Sequence, residues 1–260
     1  MKMRKFLALG LAGVMALSMA ACGVPGAEEE TKAAGTEAGG SEAVGSEATG
    51  SETAEGEKVF RYSVKTEPTS LDPAKSNSIG DGELQQIMNE GLLNNNAGEI
   101  APGLAESWEI SDDGLTYTFH LRDAVWADGQ PVTANDFVYG LQRLANPETA
   151  SPGAWVVSGV LKNGTEVIDG DLPVEELGIS APDEKTVVFE LDHPQAYFLG
   201  YAGGSAFLPQ RQDIVEQYGQ EYAGNADKLM TCGPFTMTSS ADRTYIFEKN
   251  PNYWDAENIK

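Results

Sequence analysis

Between Gly23 and Glu57 the chain carries nine glutamates and one lysine among glycine, serine, threonine and alanine, with no apolar face of any period. Gly-Ser-Glu recurs at 40–42, 45–47 and 50–52. Such a stretch buries nothing that could offset the entropy of ordering it, so it is expected to be a flexible, self-repelling tether. Its expected reach is on the order of 30–35 Å. The fold must then be built from residues 58–260, enough for one large domain or two small ones.

What precedes the tether is a targeting segment. Met1–Lys5 is basic, and Phe6–Ala21 is an unbroken run of apolar and small residues. The run is shorter than the roughly 20 apolar residues that span a bilayer, and suits a signal peptide over residues 1–21. It ends in Ala20-Ala21-Cys22-Gly23, which resembles a bacterial lipobox. Cys22 is thus the expected lipidation site and the first residue of the 22–57 linker. Two acyl chains there would hold the protein at the outer face of the cell membrane.

Composition closes off several functions. A formal charge of −23 repels phosphate backbones, so no nucleic-acid partner is expected. Two cysteines and two histidines supply neither a disulfide scaffold nor a Cys/His zinc site. Asp169-Gly170-Asp171 lacks the acidic spacing of a calcium loop. Nucleophile-elbow, phosphate-loop and His-Glu-x-x-His motifs are missing. The expectation is therefore no enzyme, no metal and no cofactor.

Hydrophobic periodicity predicts helices interspersed with strands, a mixed α/β (α+β) fold. Strands are expected at Val59–Val64, Leu115–Arg122, Lys185–Leu191, Phe235–Thr238 and Thr244–Glu248. Helices are expected at Gly82–Leu93, at 134–145 behind a Thr133/Asp136 capping box, and at Gln212–Tyr218. Asn94–Gly98 is read as a turn, and Ala101–Trp108 as a connection or a single helical turn. Trp108, Trp126 and Cys232 are read as core residues.

Several blocks resemble the extracytoplasmic solute-binding proteins of peptide and nickel ABC importers (solute-binding family 5). They include Glu67-Pro68-Thr69-Ser70-Leu71-Asp72-Pro73, Glu90-Gly91-Leu92-Leu93, Pro102-Gly103-Leu104-Ala105-Glu106-Ser107-Trp108 and Asp113–Asp123. Trp126-Ala127-Asp128-Gly129, Pro131–Tyr139, Cys232-Gly233-Pro234-Phe235 and Asn250-Pro251-Asn252-Tyr253-Trp254 follow in the same order. Arg143–Pro152 is similar to the oligopeptide-binding branch. The resemblance implies a two-lobed type II periplasmic-binding-protein fold, of which 58–260 would be the first lobe with its extra β-rich subdomain, the second lobe missing. It also implies a monomeric, lipid-anchored receptor that hands oligopeptides to the permease subunits of an ABC importer. By position it places ligand contacts at Asn77, Ser78 and Ile79. Gly153 stands where the branch carries an aromatic, and Trp155 could replace that ring. Gly204 and Ser205 form a third wall. A secreted hydrolase, a surface adhesin, and a binding protein for a dipeptide, nickel complex or oligosaccharide are the competing readings.

Overall fold

The computed structural model describes residues 59–64, 66–96 and 98–259. The expected signal segment 1–21, Cys22 and the tether 23–57 lie outside the described residues.

The centre of the fold is a four-stranded antiparallel sheet of β3 (Ala105–Ile110), β4 (Thr116–Leu121), β5 (Ile179–Asp183) and β6 (Thr186–Glu190), in the order β3-β4-β6-β5. Two separate two-stranded ribbons flank it in sequence: β1 (Leu93–Asn96) with β2 (Glu99–Pro102), and β7 (Phe235–Ala241) with β8 (Thr244–Lys249). Among the described residues the α-helices are α1 (Ile79–Met88), α2 (Ala134–Ala145), α3 (Gly164–Ile168), α4 (Phe198–Ala202) and α5 (Gln212–Tyr218).

Alternation makes the sheet two-faced. On β4, Tyr117, Phe119 and Leu121 are buried, while Thr116, Thr118 and His120 are half-exposed. Phe119 lies opposite Val187 and Tyr117 opposite Phe189, so the apolar residues of β6 share that face. Against it pack Phe137, Leu141 and Leu144 from α2 and Phe198 from α4. Phe119 and Phe189 meet edge-on at 5.6 Å between ring centroids, and Tyr117 lies 4.7 Å from Phe198. Each such ring contributes about 1.5–3 kcal/mol by leaving water. A second, smaller cluster joins Leu84 and Met88 of α1 to Met237 of β7.

The predicted mixed α/β architecture is present, and α2, α5, β4, β6 and the β7–β8 ribbon fall where periodicity places them. Trp126 and Cys232 are buried as expected, and Trp108 packs against the main cluster at 6.5 Å from Phe119. Four expectations are corrected. Val59–Val64 alternates like a strand but pairs with none among the described residues. The segment is largely open to solvent, with Phe60 88% exposed. The helix read at Gly82–Leu93 instead begins at Ile79 and ends at Met88. Its far end is captured by other backbone: Gly91 O receives Leu104 N, and Leu92 O receives Gly103 N and Ala105 N. Asn94–Asn96 belongs to β1, and the turn contracts around Gly98, whose φ of +97° suits only glycine comfortably. Ala101–Trp108 is extended in β2 and β3 rather than a connection. Strand β5 was not foreseen. It lies at the sheet edge, where Pro182 is tolerated and apolar alternation is weak.

Candidate functional site

The N-terminal half of α1 is where three distant loops meet. Ser78 caps the helix, its Oγ accepting Asp81 N at 3.1 Å. A Cβ built on Gly153 would lie 3.7 Å from Ser76 O, so the 151–155 loop runs beside the 76–79 loop. A Cβ built on Gly82 would lie 3.7 Å from Ser205 Oγ, which brings in the third segment. The sequence-predicted residues Asn77, Ser78, Ile79, Gly153, Trp155, Gly204 and Ser205 therefore lie on converging segments. Two of them are large and apolar yet open to solvent: Ile79 is 65% and Trp155 68% exposed.

The glycines in this wall differ in kind. Gly203 and Gly204 let backbone pass close, since added Cβ atoms would sit 2.9 Å from Leu93 O and 3.1 Å from Tyr201 O. Gly153 has φ −94°, open to any residue, and its surroundings would admit a Cβ at ordinary contact distance. Its missing side chain leaves the wall bare beside Trp155 without any backbone need for glycine.

Asp81, fully buried at the third position of α1, holds the loop in place. Its Oδ1 accepts Thr69 N and Ser70 N, and its Oδ2 accepts Thr69 Oγ1 at 2.8 Å, Asn77 N at 2.9 Å and Ser78 N at 3.0 Å. Burial alone would raise this carboxyl, but the backbone donors of Asn77, Ser70 and Thr69 outweigh it and hold it at about 2. Gly80 permits the same closure from the other side, because a Cβ there would fall 2.3 Å from Thr66 O.

A second clamp ties the loop to α2. Arg143 forks onto buried Asp72 at 2.6 and 2.7 Å, and its Nη1 also donates to Gln210 Oε1 at 2.7 Å. Sequence reading named neither Asp81 nor this pair. The Ser78-x-x-Asp81 spacing carried the first signal, the same capping pattern recognised at Thr133 and Asp136. The Asp72–Arg143 pair had no local signal, since its members are 71 residues apart.

Around the end of α1, buried Glu90 accepts Trp254 Nε1, and Arg122 lies over the Trp254 ring at 3.6 Å. The Cys232 Sγ sits 3.8 Å from Glu90 O, and burial pushes its thiol up to about 12, far from the thiolate that reactive cysteines need. His120 is half-exposed on β4, and exposed His193 lies 3.4 Å from Asp192. Among the described residues no three potential metal ligands cluster.

Comparison with known proteins places this geometry. The profile of the bacterial extracellular solute-binding proteins, family 5 (middle region) matches residues 99–260. The chain is 40% identical over 208 residues to the periplasmic murein peptide-binding protein MppA of Escherichia coli, covering 78% of this chain and 38% of that protein. It is 37% identical over 194 residues to the periplasmic oligopeptide-binding protein OppA of Salmonella typhimurium, covering 73% and 35%. A probable deoxycholate-binding periplasmic protein of Escherichia coli, YgiS, is 32% identical over 205 residues, covering 77% and 38%. Among solved structures, peptide-bound OppA of Listeria monocytogenes superposes with a TM-score of 0.71 at 34% identity, covering 74% of this chain and 38% of that one. These relatives are binding proteins rather than enzymes, and the chain spans less than half of their length. The wall of converging loops is thus carried by a chain that belongs to family 5 of the bacterial extracellular solute-binding proteins.

Proposed function

We propose that this chain captures oligopeptides outside the cytoplasmic membrane for a permease of an ABC importer. In this reading residues 58–260 form the first lobe with its β-rich subdomain, and Cys22 carries the lipid that anchors the tether. Asn77, Ser78, Ile79, Gly153, Trp155, Gly204 and Ser205 supply one wall for the ligand. The observation that carries the reading is the meeting of the three loops around α1, with Ile79 and Trp155 open to solvent. Peptide backbone could pair along such a wall while side chains occupy wet, tolerant pockets. Similarity to murein-peptide- and oligopeptide-binding proteins supports the choice of ligand.

One wall supplies only part of the burial that closure of two lobes would give, so weak binding is expected from this chain alone. NMR titration with tri- to pentapeptides is the test. Resonances of 77–79, 153–155 and 204–205 should shift, and Trp155→Ala should weaken binding about tenfold, the loss expected for an aromatic anchor. Deoxycholate serves as the comparison solute. Shifts confined to other residues, or a response to deoxycholate alone, would overturn the peptide reading. Cys22→Ser should release the protein from membranes.

A further inference from the structure

A separate cavity lies elsewhere, along the outer face of α2. It is an open groove of about 600 Å³ that shares no lining residue with the wall described above. Its half-buried floor includes Val138, Tyr139, Gln142 and Thr149, faced by Val174 from the segment before β5. The floor's charged group is Arg143, and that guanidinium is neutralised by its two bonds to Asp72. Glu148 and Glu175 stand on the exposed rim.

Hydrogen bonding decides what such a groove can hold. Among its walls Gln212 is committed to Glu216 at 2.7 Å, and Asn146 accepts Glu148 N at 2.9 Å. Among the described residues the side chains of Asn135, Tyr139, Gln142 and Thr149 have no protein partner. Burial pushes the Tyr139 phenol above its ordinary value, so the hydroxyl keeps its proton. Amides and hydroxyls both donate and accept. Anionic ligands find no free cation here and two carboxylates at the rim. A neutral polyhydroxyl compound finds matched partners for hydroxyls that themselves donate and accept. Its C–H faces would meet Val138, Val174 and the Tyr139 ring. The volume falls in the range that holds small ligands, about 300–1,000 Å³.

We propose that the α2 groove is a second binding site, for a short neutral carbohydrate. The test is titration of the chain with maltotriose and chitotriose, with spermidine as the cationic probe, followed by calorimetry and NMR. A saccharide should bind and shift resonances of α2, and Gln142→Ala and Tyr139→Phe should each weaken it at least tenfold. Trp155→Ala should leave saccharide binding unchanged, and Gln142→Ala should leave the peptide response of the wall unchanged. Circular dichroism of each variant confirms that it folds. The proposal is overturned if neither saccharide binds, if binding ignores both groove variants, or if Trp155→Ala abolishes it. Spermidine binding in place of saccharide would make the groove a cation site and would equally overturn it.

Discussion

Helices α1 and α2 start with the same device and use it for different ends. Each has a hydroxyl residue at the cap and an aspartate three residues on, Ser78 with Asp81 and Thr133 with Asp136. At Asp136 a single oxygen, Oδ2, receives Thr133 N at 2.8 Å, Thr133 Oγ1 at 3.2 Å and Trp126 Nε1 at 3.3 Å. Burial dominates there and raises the carboxyl. At Asp81 both oxygens are occupied, by donors from 69–70 and 77–78, and the carboxyl is held at about 2. Burial by itself raises both carboxyls; at Asp136 it prevails, while at Asp81 the backbone donors of Asn77, Ser70 and Thr69 outweigh it. One cap starts a helix. The other also fastens the loop that forms the proposed ligand wall.

The comparison breaks most readily at the aspartates. Asp81→Asn turns donors toward N–H groups on one side of the carboxylate, and should cost about 3 kcal/mol or more. Urea denaturation measures this, and a loss below about 1 kcal/mol would mean the loop does not depend on Asp81. The residues just before the aspartates sharpen the contrast. Gly80→Ala must push Thr66 O away from 2.3 Å and should cost about 2–3 kcal/mol, whereas exposed Asn135→Ala should stay within about 0.5 kcal/mol.

Acid titration tests the signs. Asp81 falls from an ordinary 3.8 to about 2 on folding, so its contribution is complete above the unfolded value and lost as pH drops through the folded one. Stability should fall by about 2 kcal/mol on this account between pH 4 and pH 2, and the slope should flatten in Asp81→Asn. The raised Asp136 carboxyl works the other way, favouring the fold as pH falls through its folded value. The smallest effect is expected for Asp136→Asn. An amide oxygen can take the place of Oδ2 and keep all three donors, so the change should stay below about 1 kcal/mol. A large loss there would show that the charge, not the geometry, holds α2.

Legibility followed the range of the interaction. Helix α2 was readable to the residue because its cap, its apolar stripe and its end lie within one short segment. Strand β4 was readable because one face is buried and the other is not. Helix α1 was misplaced although its cap is as regular, because apolar Leu92 and Leu93 carry the pattern past its end. Only the backbone of 103–105, pairing with Gly91 and Leu92, stops it at Met88. Val59–Val64 failed for the converse reason: the period-2 pattern is there, and no partner strand lies among the described residues. The proposed wall residues rest on family resemblance rather than on any local chemical signal.

The sequence by itself determined the segments with a complete local signal. These are the composition break at residue 57, the two-faced strands β4 and β6, the capped helix α2, and a formal charge of −23. Tertiary structure alone decided which loops share a surface. Asp81 gathers donors from residues up to 12 positions away, and Arg143 reaches Asp72 across 71. A hydrogen bond or ion pair needs only proximity in space, and sequence patterns encode proximity only where the chain's own helical or strand period supplies it.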